Sequence, residues 1–120
     1  MAKDLLIDLL KDLGSDYGYA SGTFTVTSTS LGEFDTAALV IRVDEVVGTD
    51  STFKIETSID NVVFVAVDHS LLTNGVLTIG SATENHNFLF TDFVERYIRV
   101  TFTPNTSTGI VKSIKILGKQ

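Results

Sequence analysis

Residues 96–103, Arg96-Tyr97-Ile98-Arg99-Val100-Thr101-Phe102-Thr103, alternate polar and apolar side chains over a full strand length, and this period of two is the strongest constraint on the fold. Successive side chains of an extended chain point to opposite faces, so Ile98, Val100 and Phe102 line one face and turn it toward a core. The same period recurs in Thr23-Phe24-Thr25-Val26-Thr27, in residues 37–43 with Leu39, Ile41 and Val43 on one side, and in residues 53–57 with Lys54 and Glu56 outward. Residues 62–67, Val-Val-Phe-Val-Ala-Val, form a continuous apolar run that reads as a central strand. Ser58-Ile59-Asp60-Asn61 before it is a turn that makes the pair a hairpin. Asn74-Gly75 is a strong turn dipeptide leading into a strand over 76–79. Residues 87–93 are aromatic and extended, and Pro104 with the turn 105–109 returns the chain into a strand over 110–117. About seven or eight short strands at intervals of roughly 8 to 12 residues predict an antiparallel two-sheet β-sandwich, jelly-roll or Ig-like. No long helical segment separates them, which excludes βαβ units and the ligand crevice of a parallel sheet.

The start of the chain breaks this pattern. Leu5, Leu6, Leu9, Leu10 and Leu13 recur at helical spacing, with Lys3, Asp4, Asp8, Lys11 and Asp12 on the other side and Gly14 as a stop signal. This predicts a short N-terminal amphipathic helix over 1–14 ahead of a sandwich domain over 15–120. A helix of roughly eleven residues is marginal in water, so the leucine stripe must pack on this chain's own sandwich or on a neighbouring subunit. The competing expectation is an edge strand over residues 4–10. We take the five leucines as the candidate partner contact.

With 120 residues the chain suits one domain, and without cysteine its stability rests on packing and hydrogen bonds. A net charge of -6 repels phosphate backbones and anionic lipid, so neither nucleic acid nor membrane is an expected partner. The acid-broken start supplies no signal-peptide core and no stretch is long enough to span a bilayer, which predicts a protein made in the cytoplasm.

Residues for chemistry are sparse. His69 and His86 are the histidines, and Asp68-His69-Ser70 are sequence neighbours, whereas catalytic triads are assembled across a fold. A metal site could draw on Asp44, Glu45 and Asp50 around the Val46-Val47-Gly48-Thr49 loop, or on Glu84 with His86, but neither resembles an EF-hand loop or an H-E-x-x-H helix. Tyr17, Tyr19, Phe24 and Phe34 could form a sugar platform or core, and Asn105-Thr106-Ser107 is a glycosylation sequon that also reads as a hairpin turn. The expectation is a protein that is not an enzyme and needs no cofactor.

One set of residues carries a resemblance. Val46-Val47-Gly48-Thr49-Asp50-Ser51, Phe53-Lys54-Ile55-Glu56-Thr57-Ser58-Ile59-Asp60-Asn61-Val62-Val63-Phe64, Glu95-Arg96-Tyr97-Ile98-Arg99-Val100-Thr101-Phe102 and Ile114-Lys115-Ile116-Leu117-Gly118-Lys119 follow one another. This run resembles small β-sandwich virion proteins of tailed bacteriophages, with their "T-S-x-D-G-x-x-F" hairpin, "G-R-Y-V-R-V" strand and closing "G-K". Asn61 stands where the turn glycine is usual, and Glu95 where a glycine precedes the arginine. The resemblance covers residues 36–119 and implies a capsid decoration or cement protein, or a neck or tail accessory. It further implies phage capsid or tail proteins as partners, a homo-oligomer, and a place in the virion after assembly in the host cytoplasm. Arg96-Tyr97-Ile98-Arg99 is also similar to a structural strand of discoidin-type sandwiches, which implies a carbohydrate-binding module as the alternative.

Overall fold

The computed structural model describes residues 4–11, 13–14, 16–32, 34, 36–80, 84–90 and 96–119, with residues 4, 5 and 84–90 described through their backbone. Among these residues the chain forms β1 (Asp4–Asp8), β2 (Tyr17–Gly18), β3 (Phe24–Thr27), β4 (Thr36–Val47) and β5 (Ser51–Ser58). There follow β6 (Val65–Ala66), β7 (Val76–Ile79), β8 (Glu84–Phe90), β9 (Tyr97–Thr103) and β10 (Thr108–Lys119), with a single 3-10 turn at Tyr19–Ser21. They make two antiparallel sheets. One runs β1-β10-β4-β8 with β2 also on β10; the other runs β3-β9-β5-β6 with β7 also on β5.

The alternation read from the sequence determines what each strand buries. Leu39, Ile41 and Val43 of β4 and Ile114 and Ile116 of β10 face Phe53 and Ile55 of β5 and Ile98, Val100 and Phe102 of β9, all fully buried. Full burial of each such side chain contributes about 1.5–3 kcal/mol. Phe102 centres an aromatic cluster, with ring centroids 4.7 Å from Tyr19, 5.3 Å from Phe24 and 4.9 Å from Phe53. The Asn74-Gly75 turn is as its sequence demands: both residues have positive φ, 50° and 78°. Thr73 and Val76 exchange backbone hydrogen bonds of 2.9 and 3.0 Å across it. This is a left-handed two-residue hairpin turn.

The structure corrects two expectations. No helix forms over the described residues of 1–14; the competing edge strand forms instead, with Asp4–Asp8 antiparallel to the end of β10 and Leu6 opposite Leu117. The physical reason is the open edge of β10. A short helix would leave that row of backbone groups to water, whereas β1 satisfies it and Leu9 N–H extends the ladder to the Ile114 carbonyl at 2.8 Å. The apolar run 62–67 is likewise not a central strand. Val65–Ala66 forms a two-residue strand at the outer side of β5 with both side chains exposed, and of the run Val67 alone is buried, its N–H donating to the Ile55 carbonyl at 3.0 Å.

Candidate docking surface

The hairpin joining β5 to β6 is built by two side chains. Ser58 ends β5 half-folded back on itself: its hydroxyl accepts the N–H of Asn61 at 3.0 Å and of Asp60 at 3.3 Å, and donates to Asp60 Oδ1 at 3.0 Å. The same Oδ1 accepts the N–H groups of Val62 at 2.9 Å and Val63 at 3.0 Å. Asn61 adopts φ 62°, a left-handed conformation that asparagine tolerates better than most residues and that suits this turn. The N–H groups of Val63 and Val62 and the Ser58 hydroxyl hold the Asp60 carboxyl below its ordinary value, keeping it an acceptor for this turn.

The turn so fixed presents an apolar surface to solvent. Ile59 is 67% exposed, Val62 77%, Val63 64% and Val65 63%, and Leu71 on the following turn is also exposed. Single exposed apolar residues are ordinary; four within seven residues of one loop make this the candidate docking surface. Below the tip, Phe64 is anchored to the outer face of the second sheet, where the Arg99 guanidinium carbon lies 3.9 Å from its ring centroid. Arg99 is held there by Glu56, whose Oε1 accepts from Nη2 at 2.9 Å and Nε at 3.2 Å. Cation–π stacking and a charge-assisted pair therefore tie the loop to the sheet.

Asp50 organises a different turn. Its carboxylate accepts from the Ser107 hydroxyl at 2.6 Å and the Thr106 N–H at 3.1 Å, and also from the Thr106 hydroxyl. Its N–H donates to Ser107 Oγ at 3.3 Å, and Asn105 Nδ2 donates to its carbonyl at 2.6 Å. The Ser107 hydroxyl, followed by that of Thr106, lowers the Asp50 carboxyl to about 2. The sequon Asn105-Thr106-Ser107 is thus the turn that Asp50 latches. A shallow open depression beside it, between Tyr19 and residues 104–109, has no charged side chain in its lining.

The other candidate residues are dispersed. Leu9 and Leu10 are buried in the core, Leu6 and Leu13 are exposed, and the side chain of Leu5 lies outside the described residues, so the five leucines do not share one face. Leu9 and Leu10 lie in the turn after β1, where Leu10 N–H donates to Asp8 Oδ1 at 3.0 Å and both side chains turn inward. Asp44 accepts the Glu45 N–H at 2.8 Å while Asp50 faces residues 106 and 107, and no group of three potential metal ligands forms among the described residues. The side chains of Glu84 and His86 lie outside them. His69 accepts the Leu71 N–H at 3.2 Å on Nδ1, within the turn read from the sequence. Tyr19, Phe24 and Phe34 are core residues, and Tyr17 is half-buried edge-on to Phe24 with its hydroxyl donating to the Gly22 carbonyl at 2.9 Å. Sequence reasoning placed residues 62–67 inside. The signal it lacked was the Asp60 turn, which fits an outward loop as well as a tight hairpin.

No protein-family model and no curated protein matches the sequence. Among solved structures the chain is similar to BiXyn10A CBM1 in its apo form, with 9% identity over 93% of this chain and 95% of that one and a TM-score of 0.47. It is similar to the CBM36-1 domain of a multidomain xylanase from the hindgut metagenome of Trinervitermes trinervoides, with 7% identity over 97% of each chain and a TM-score of 0.43. A third similarity is to a chain of infectious bursal disease virus Gx strain, with 12% identity, all of this chain and 32% of that one, and a TM-score of 0.49.

Proposed function

We propose that this chain is a non-enzymatic structural protein of a tailed-phage virion, a capsid decoration or cement protein or a neck or tail accessory, and that it docks through the loop 58–66. The observation that carries the docking role is the rigid apolar tip, in which Asp60 and Ser58 fix the backbone while Ile59, Val62, Val63 and Val65 face solvent. A loop ordered before contact loses little further entropy on docking. The virion assignment is supported by the sequence resemblance over residues 36–119. Many copies on a symmetric shell multiply a weak individual contact, so a small apolar tip suffices. Leu6 and Leu13, the exposed members of the leucine set, are available for a second contact.

The alternative, a carbohydrate-binding module, has less support, because the aromatic residues that would build its platform are packed in or against the core. Quantitative mass spectrometry of purified particles tests the main reading. A ratio to the major shell protein near a simple lattice fraction indicates decoration, and a few copies per particle indicate neck or tail. Absence from particles, with specific binding on a glycan array, would reverse the two readings.

A further inference from the structure

Unpaired backbone at a sheet margin invites another strand, and most margins of this sandwich are blunted against it. Asp4 and Asp8 stand at the two ends of β1, β8 begins with Glu84, and β2 and β6 are two residues long. In β7 the open-side groups of Val76 are already bonded to Thr73. Among the described strands β3 is the exception. It forms the margin of the second sheet opposite β6, with β9 on one side of it. Ser28 N–H donates to the Ile98 carbonyl at 2.8 Å, and Val26 lies opposite Val100 in the same register. Backbone groups alternate along a strand, so those of Phe24 and Val26 also face β9 and those of Thr25 and Thr27 face outward. Among the described residues no backbone hydrogen bond reaches Thr25 or Thr27 from that outer side.

Charge selects the occupant. Residues 17–32 contain no Asp, Glu, Lys or Arg, although the chain carries nine basic and fifteen acidic residues and a net charge of -6. Two copies at that charge repel, and a two-fold contact sets a patch against itself, so a charged edge would meet like charge. This edge avoids that. Thr23, Thr25, Thr27 and Thr29 along it are exposed, and threonine pairs across strands stabilise antiparallel sheet, as the hydroxyls of Thr25 and Thr101 already do at 3.2 Å. A foreign partner of an anionic chain is recruited by opposite charge, which this margin lacks.

We propose that two copies of this chain pair antiparallel along their β3 edges, joining their second sheets into one continuous sheet about a two-fold axis. Loop 58–66 belongs to the opposite margin of that sheet, so the dimer carries its two tips at its outer ends and the pairing does not depend on the docking role. Sedimentation equilibrium of the intact chain should show a dimer. Thr27→Pro removes an outward donor without touching the ladder to β9, and should give a monomer with the circular dichroism spectrum and urea midpoint retained. Thr27→Glu guards against a proline variant that unfolds: Thr27 lies opposite Arg99, so the new acid has a cation within its own sheet, yet each copy then presents an acid at the edge. Its dimer dissociation constant should rise severalfold at low salt and fall back as salt is raised. The double variant Val62→Asp, Val63→Asp should dimerise like the wild type. A monomeric wild type, a dimer that survives Thr27→Pro, a dissociation constant unmoved by Thr27→Glu, or a dimer lost only on changing the two valines overturns the proposal.

Discussion

Replacing Val62 and Val63 together by aspartate separates docking from folding. Val62 is 77% and Val63 64% exposed, so most of the free energy of burying them, about 1.5–3 kcal/mol per side chain, is unrealised in the free chain. Covering those fractions on a partner would contribute about 2–4 kcal/mol, or about 30- to 1000-fold in dissociation constant. The buried remainder is worth about 1–2 kcal/mol to the fold, against the roughly 5–15 kcal/mol of an ordinary domain. The double variant should therefore stay folded, with a modestly lower urea midpoint, and fail to co-sediment with particles lacking the wild-type protein. Undiminished co-sedimentation would refute the assignment of the tip. So would a collapse of the urea transition, which would mean that the valines are internal packing.

The remaining expectations concern the scaffold. Gly48 has φ 111°, and a Cβ there would lie 2.5 Å from Ser107 Oγ, so Gly48→Ala should cost about 2–5 kcal/mol in urea unfolding, from overpacking and backbone strain. Phe102→Ala, at the centre of the aromatic cluster, should cost about 3–5 kcal/mol by the same measurement. Asp50, lowered from 3.8 to about 2 by the hydroxyls of Ser107 and Thr106, binds protons less readily in the fold than unfolded. Its stabilisation is therefore complete above the unfolded value and declines as pH falls from 3.8 toward 2. Asp50→Asn should flatten the stability profile in that acid window, and an unchanged slope would contradict the latch.

The sandwich was legible because its strands obey one local rule. Phe53, Ile55, Ile98, Val100, Phe102, Ile114 and Ile116 are buried where alternation puts them, and Asn74-Gly75 turns where its conformational freedom predicts. The leucines at the start obey two rules at once. Spacing of three and four suits a helix, but Leu6, Leu9 and Leu10 also fit a strand ending in a turn, and the unpaired edge of β10 decides between them. That edge is created by residues 115–119, more than a hundred positions away, so no window around the leucines contains the deciding term.

Residues 62–67 pose the opposite problem, since their local signal is unambiguous yet does not place them in the core. An apolar, β-branched run belongs in the core if the free chain is the final state. In the structure Val62, Val63, Val65 and Ala66 are exposed while Val67 reaches the core, and polar side chains hold that arrangement: Ser58 and Asp60 set the turn, and Arg99 with Glu56 pins Phe64. A run exposed by accident would need no such support and would lower solubility without return. On the proposed docking role, the sequence pattern and the fold agree again once another chain covers this surface, so the place where local reasoning fails is the place that role uses.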